Sequence, residues 1–299
     1  MTRRPCSGPA ITLTALRPGE VNCSGGLFVP CPSVTSYAGI DDLTVTLDGH
    51  VLTVTLNRPD SLNSLTEAML TTLADTLDRA ALDPEVKVVR LDGAGRGFCA
   101  GAGISAEDQA AQANSPTIDG LLLAANRAVR SITTLPKPVV AVVHGPAAGV
   151  GVSLALACDV IVASEKAFFL LAFTKIGLMP DGGASALVAA AIGRVRAMRM
   201  ALLAERISAT DAFEFGLVSS VHPADEVAAA AAAVIDTLVT GPAVALRKTK
   251  QAINAATLTE LEAALDRETE GQLILLRSKD FAEGTRAFQD RRTASFSDQ

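Results

Sequence analysis

The apolar run 139–163 constrains the fold more than any other stretch of this chain. It is long enough to suggest a membrane span, yet it contains His144, Pro146, Ser153, Asp159 and several glycines. A spanning helix needs about 20 apolar residues without such breaks. The run reads instead as a buried strand at 139–143, a glycine turn, a buried helix at 149–158 and a second strand at 160–163. That succession belongs to an α/β fold.

The flanks extend the same pattern. Residues 43–47 and 51–56 alternate apolar and polar side chains around Asp48-Gly49, the mark of a β-hairpin. Leu65, Met69, Leu70, Leu73 and Leu77 predict a helix over 64–79. A strand follows at 86–91 and a helix at 118–135. Beyond Asp181 the pattern turns helical, at 184–192, 194–204 and 208–215, with a short strand at 217–221. Unbroken alanine from Ala228 to Ala233 strengthens a helix over 224–240, and 242–288 predicts further helices. The chain divides into an irregular extension at 1–40, rich in Pro, Gly, Ser and Thr, an α/β core at 41–223 and a helical region at 224–299. That last region is either an oligomer-packing module or simply the second half of the core.

Charge and cysteine usage exclude several functions. Lys and Arg number 26 against 32 Asp and Glu, a net charge of −6. A nucleic-acid binder needs a basic face, so no nucleic-acid partner is expected. Five Cys, an odd number with no C-x-x-C pair, and only three His predict neither a disulfide framework nor a metal site. A reducing cytoplasm is the expected compartment. No clean apolar run follows Arg3 and Arg4, so neither a signal peptide nor a membrane partner is expected. Cys99 and Cys158 stand in apolar context and read as small hydrophobes.

Two glycine-rich turns carry the candidate chemistry: Gly97-Phe98-Cys99-Ala100-Gly101-Ala102-Gly103-Ile104 after a strand, and His144-Gly145-Pro146-Ala147-Ala148-Gly149-Val150-Gly151 between a strand and a helix. Glycine lets main chain approach a ligand closely, and amides at a helix start favour negative charge. Two such turns can aim two N–H groups at one carbonyl oxygen, the arrangement that stabilises an enolate or a tetrahedral oxyanion. A third element, Met179-Pro180-Asp181-Gly182-Gly183, makes Asp181 either a helix cap or a site carboxylate. His144 reads as a structural hydrogen-bonding residue. Glu107 and Asp108 read as solvated helix charges, with acids for a rearranged hydratase site as the alternative.

The ordered markers Leu56-Asn57-Arg58-Pro59 with Asn63, Gly97-Phe98-Cys99-Ala100-Gly101, His144-Gly145 through Gly151, Ala157-Cys158-Asp159, Ile176-Gly177-Leu178-Met179-Pro180 and Glu283-Gly284 resemble the crotonase (enoyl-CoA hydratase/isomerase) superfamily from about residue 43 to 296. The resemblance implies a spiral of β-β-α units with a C-terminal helical trimerisation region. It implies an acyl-CoA thioester ligand, no separate cofactor, and a homotrimer or dimer of trimers. It places the oxyanion-binding amides at Ala102 and Val150, with Ala100, Gly101, Gly103, Ile104 and Gly149 around the thioester. It sets Arg96 near CoA phosphate, although Arg96 also reads as a solvated loop charge. Phe288 and Arg291 match positions that reach the CoA of a neighbouring subunit.

The chain departs from a hydratase. Where the resemblance would place two water-activating glutamates stand Ser153 and Phe173. Neither serves there as a general base at neutral pH. Gly103 also replaces a structural Asp. Ser153, Phe173 and Asp181 together resemble the branch of 2-(1,2-epoxy-1,2-dihydrophenyl)acetyl-CoA and Δ3,Δ2-enoyl-CoA isomerases, in which one carboxylate, here Asp181, suffices for a 1,3-proton shift. Three readings follow: a double-bond isomerase using Asp181, a hydratase with a rearranged site, and an acyl-CoA-binding protein without catalysis.

Overall fold

The alternating segments at the start of the folded chain form the expected hairpin, β1 (Leu43–Asp48) and β2 (Val51–Leu56), paired antiparallel. Its turn places Gly49 and His50 at φ 52° and 69°, the left-handed pair that matches strand twist. The computed structural model describes residues 36–105, 108 and 119–297, all within a compact unit that begins at Ser36. Residues 1–35 of the extension, Glu107 and most of 104–117 lie outside the described residues.

From β2 the chain enters α1 (Glu67–Leu82), whose N-cap Thr66 accepts from the Met69 amide. Met69, Leu70, Leu73 and Leu77 form its buried stripe, as their spacing predicts. β3 (Val88–Gly93) then pairs parallel with β2. After α2 (Gly120–Thr134) the apolar run divides as expected into β4 (Val139–Val143), α3 (Val150–Ala157) and β6 (Val160–Ser164), with β5 (Pro146–Ala148) inside the glycine turn. β7 (Phe168–Leu170), α4 (Ala184–Leu202), β8 (Arg206–Ser208), α5 (Ala209–Phe215) and β9 (Ser220–His222) follow, then α6 (Val227–Thr240), α7 (Ala243–Thr257), α8 (Leu261–Leu275) and α9 (Lys279–Gln289). Gly193 breaks α4 at φ 75° and ψ 160°, where the sequence predicts two helices.

Strands alternate between two sheets. The larger runs β1-β2-β3-β4-β6-β9, the smaller β5-β7-β8. Successive β-β-α units, β4-β5-α3 and β6-β7-α4, each place one strand in either sheet, and this is the predicted spiral. The central parallel strands β3, β4 and β6 of the larger sheet are buried on both faces. Val89, Leu91, Val139, Ala141, Val143, Ile161 and Ala163 join the main core. Their alternates Val88, Val140, Val142 and Val162 pack against Val227, Ala231 and Ile235 of α6. Each such Val, Leu or Ile side chain contributes about 1.5–3 kcal/mol on burial.

One element differs from its sequence reading. The strand predicted at 217–221 forms only as β9. The amides of Gly216, Leu217 and Val218 return to carbonyls of Phe213 and Ala212, so capping of α5 consumes the groups a longer strand would need. The region 224–299 does not stand apart: α6 covers the sheet, and α8 reaches the cavity described next. Among the described residues no single helix is long and apolar enough to cross a membrane.

Candidate active site

The first glycine turn is held by side chains from the segment after β2. Asn63, fully buried, donates from Nδ2 to the carbonyls of Ala94 and Gly97 at 2.9 and 2.8 Å, while its Oδ1 accepts from the Arg58 amide at 2.9 Å. Arg58 Nη1 donates to the Ser64 carbonyl and Nη2 to Asp108 Oδ1 at 2.9 Å. Asp108 is thus not a solvated charge: it is 9% exposed. Burial pushes its carboxyl up, but bonds from Ser105 and Arg58 outweigh this and hold it below the ordinary value. A side chain on Gly103 would begin 2.3 Å from the Asp108 carboxyl carbon. Asp108 therefore fills the space left by the missing Asp at 103.

Backbone pairing aims the amides. Leu65 donates to the Gly101 carbonyl at 2.8 Å and accepts from the Gly103 amide at 3.3 Å. The Gly101 carbonyl and the Ala102 N–H belong to one trans peptide and point opposite ways, so with that carbonyl turned to Leu65 the Ala102 N–H points away from it. Across from it, Gly149 (φ 54°) starts α3 and leaves the Val150 N–H in the unsatisfied first turn of that helix. The turns meet main chain to main chain. A Cβ on Gly101 (φ 87°) would fall 2.8 Å from the Ala148 carbonyl oxygen and 3.3 Å from Gly149 Cα. Cys99–Ala147 bridging and a 2.9 Å bond from His144 Nε2 to the Gly95 carbonyl fasten the pair. His144 is structural, as read. Cys99 is fully buried and burial pushes its thiol up to about 12, which removes it as a nucleophile.

Asp181 stands just before α4. Its side chain does not cap that helix. Glu268 of α8 does so, accepting from the Gly183 and Ser185 amides at 2.6 and 2.8 Å. Asp181 is 8% exposed. Its Oδ2 accepts a 2.6 Å bond from Gln272 Nε2, and its Oδ1 has no partner among the described residues. Burial pushes its pKa up to about 7; the Gln272 bond opposes this and the buried Glu268 charge reinforces it.

One cavity of about 130 Å³ collects these parts. Ala100, Gly101, Ala102, Gly103, Ile104, Gly149, Val150, Phe173 and Asp181 all line it, so nine residues singled out from the sequence converge. Asp181 is its one ionisable side chain among the described lining residues. Four others do not join them. Ser153 is fully buried and its hydroxyl donates to the Asp181 carbonyl at 3.0 Å; it supports the acid from behind and does not line the cavity. Arg96 is exposed on the first turn, outside the lining. Phe288 and Arg291 are exposed at the end of α9 and line nothing within a single chain. Among the described residues no group of three or more His, Cys, Asp or Glu is gathered as a metal centre requires.

The sequence reading missed the wall that α8 and α9 supply: Gln272, Leu276 and Phe281. The signal was present. Leu261, Ala264, Leu265, Glu268 and Gln272 form one buried stripe on α8, and two polar residues in an apolar register call for buried partners.

Comparison with known proteins identifies the family. The chain is 40% identical over 249 residues to 1,2-epoxyphenylacetyl-CoA isomerase of Escherichia coli (strain K12), covering 82% of this chain and 94% of that protein. It is 35% identical to 2,3-dehydroadipyl-CoA hydratase of the same organism, covering 86% of this chain and 99% of that one. A crystal structure of an enoyl-CoA hydratase from Mycobacterium avium subsp. paratuberculosis K-10 superposes with a TM-score of 0.81 at 62% identity, covering 87% of this chain and all of that one. The family model for enoyl-CoA hydratase/isomerase matches residues 46–299, and the chain belongs to that family, with its crotonase fold and its action on CoA thioesters.

Proposed function

We propose that this member is a double-bond isomerase of acyl-CoA thioesters in which Asp181 moves the proton. The observation that carries the reading is an apolar cavity with, among the described residues, a single carboxylate that has one oxygen unpartnered and a pKa of about 7. Asp181 removes a proton from the carbon α to the thioester. The electron pair moves onto the carbonyl oxygen, where the N–H groups of Ala102 and Val150 stabilise the enolate. The protonated Asp181 returns the same proton to the γ carbon as the double bond migrates toward the thioester. A base with a pKa near the working pH both accepts and gives back a proton efficiently.

Water addition needs a base for the water and an acid for the α carbon. Phe173 lines the cavity with a phenyl ring, and the Ser153 hydroxyl is engaged by the Asp181 main chain. This supports isomerase over hydratase. The acyl group is apolar: the described lining carries no cation, and the sequence has no Lys or Arg between Arg96 and Arg127. The cavity approaches the roughly 150 Å³ that holds a benzene ring in a buried apolar site.

The assembly is a trimer or a dimer of trimers. Val195, Met198 and Leu202 lie on one face of α4 at helical spacing and are 80%, 42% and 61% exposed, a patch that calls for cover. Arg96 meets CoA phosphate, and Phe288 and Arg291 reach the CoA of an adjacent subunit.

A panel of 3-enoyl- and 2-enoyl-CoA thioesters tests the reaction. The expected product of a 3-enoyl thioester is its 2-enoyl isomer. Asp181→Asn lowers that turnover at least about a hundredfold while CoA-thioester affinity stays within a few fold. Hydration as the dominant outcome, binding without turnover, or an unaffected Asp181→Asn variant each overturns the assignment.

A further inference from the structure

Gln272 is placed by three bonds whose directions can be assigned without ambiguity. The Met179 amide donates to Gln272 Oε1 at 3.2 Å. A main-chain N–H can only donate, so the oxygen of the carboxamide is identified by its partner. Nε2 then offers its two hydrogens, one to the Met179 carbonyl at 2.9 Å and one to Asp181 Oδ2 at 2.6 Å. Gln272 is 1% exposed, and no water competes easily for these bonds. Asp181 Oδ2 is consequently an acceptor in either protonation state. When Asp181 takes a proton, that proton belongs on Oδ1, the oxygen without a partner among the described residues.

We infer that Gln272 is a positioning residue that turns Asp181 into a one-oxygen acid/base, with Oδ1 both removing and returning the proton. The inference rests on the isomerase reading and adds to it the residue that selects the working atom. A carboxylate free to rotate would offer either oxygen to either carbon. The clamp removes that choice, and the proton is delivered from a fixed point along one edge of the acyl chain.

The clamp also sets the pH at which the acid works. A hydrogen bond to a carboxylate favours its charged form, so Gln272 opposes the burial of Asp181 and the nearby charge of Glu268. Glu268, also on α8, is the acidic group that faces Asp181. From α3 comes the uncharged Ser153, and the described lining residues of the two turns, α2 and 173–176 carry no ionisable side chain.

Gln272→Met keeps length and apolar packing and removes both donors. A hydrogen bond to a charged group contributes about 1.5–3 kcal/mol, equivalent to about one to two pH units. The expected result is a rising limb of kcat against pH displaced upward by that amount, a fall in kcat of about fivefold or more at pH 7, and a KM within about twofold of the parent. Carbon NMR titration of the labelled Asp181 carboxyl reads the same displacement without turnover. Gln272→Glu supplies a second reading. It keeps the size but sets a second acid against Oδ2, so the two carboxyls titrate as a pair with one step raised.

An unmoved Asp181 titration in both variants overturns the inference. So does an unmoved kcat profile in an active Gln272→Met enzyme. Absence of isomerase activity in the parent protein, with Asp181 titrating as expected in the variants, would instead remove the isomerase reading and leave the clamp standing.

Discussion

At the scale of single residues the molecule keeps an acid where water would normally stabilise its charge. Asp181 titrates near 7 in the folded chain against 3.8 for an ordinary aspartate. Between those values the folded state holds a proton that the unfolded state has released. Stability is therefore complete below pH 4 and falls as pH rises toward 7, by on the order of 4 kcal/mol. Asp181→Asn removes this dependence. Urea unfolding at pH 5 and pH 8 is expected to show the variant gaining on the parent with rising pH; parallel curves would mean the acid is not buried. As a candidate, Asp181 was legible in the sequence, because Pro180-Asp181-Gly182-Gly183 stands before a helix; its role as the acid came only with the family resemblance. Whether it capped that helix was not. A cap is decided by which carboxylate reaches the amides, and Glu268 arrives from 83 or more residues away. Asp108 shows the same limit. Its charge looks solvent-bound until Arg58, 50 residues upstream, is brought against it.

At the scale of elements, the two glycine turns meet main chain to main chain. Local pattern marked both, since strand, glycine cluster and helix are each readable over a few residues. Their contact is long-range and had to come from family resemblance. Gly101→Ala tests it. A side chain there meets the Ala148 carbonyl and also adopts a strained positive φ, so a loss of about 1–3 kcal/mol together with a drop in turnover is expected. Gly49→Ala is the control: its φ is positive too, yet nothing lies within 4 Å of the added carbon. It is expected to cost about 1–2 kcal/mol and leave activity intact. Equal effects of the two substitutions on turnover would show that the close approach is unimportant. The short strands β5, β7 and β8 escaped the sequence reading because three residues hold too little alternation to register, and β9 was shortened by the capping of α5.

For the whole molecule, hydrophobic periodicity gave the α/β order and the helical tail but no hint of how the tail folds back. The inward face of α6 is Val227, Ala231 and Ile235 flanked by Val234 and Leu238, and such an aliphatic stripe packs on a sheet, on a helix or on another subunit equally well. The outward face of α4 bears on assembly. Val195→Glu combined with Leu202→Glu is expected to reduce the light-scattering mass from a multiple of three chains to the 30.8 kDa of one. An unchanged mass would place the subunit contact elsewhere.

The distance in sequence between Asp181 and its clamp has a consequence for how the protein is made. Gln272 follows 91 residues later, and a ribosome adds roughly 5–20 residues per second. For several seconds each newborn chain has both turns, Ser153 and the acid synthesised before the clamp exists. A product terminated before Gln272 would carry the acid without the bond that lowers its pKa.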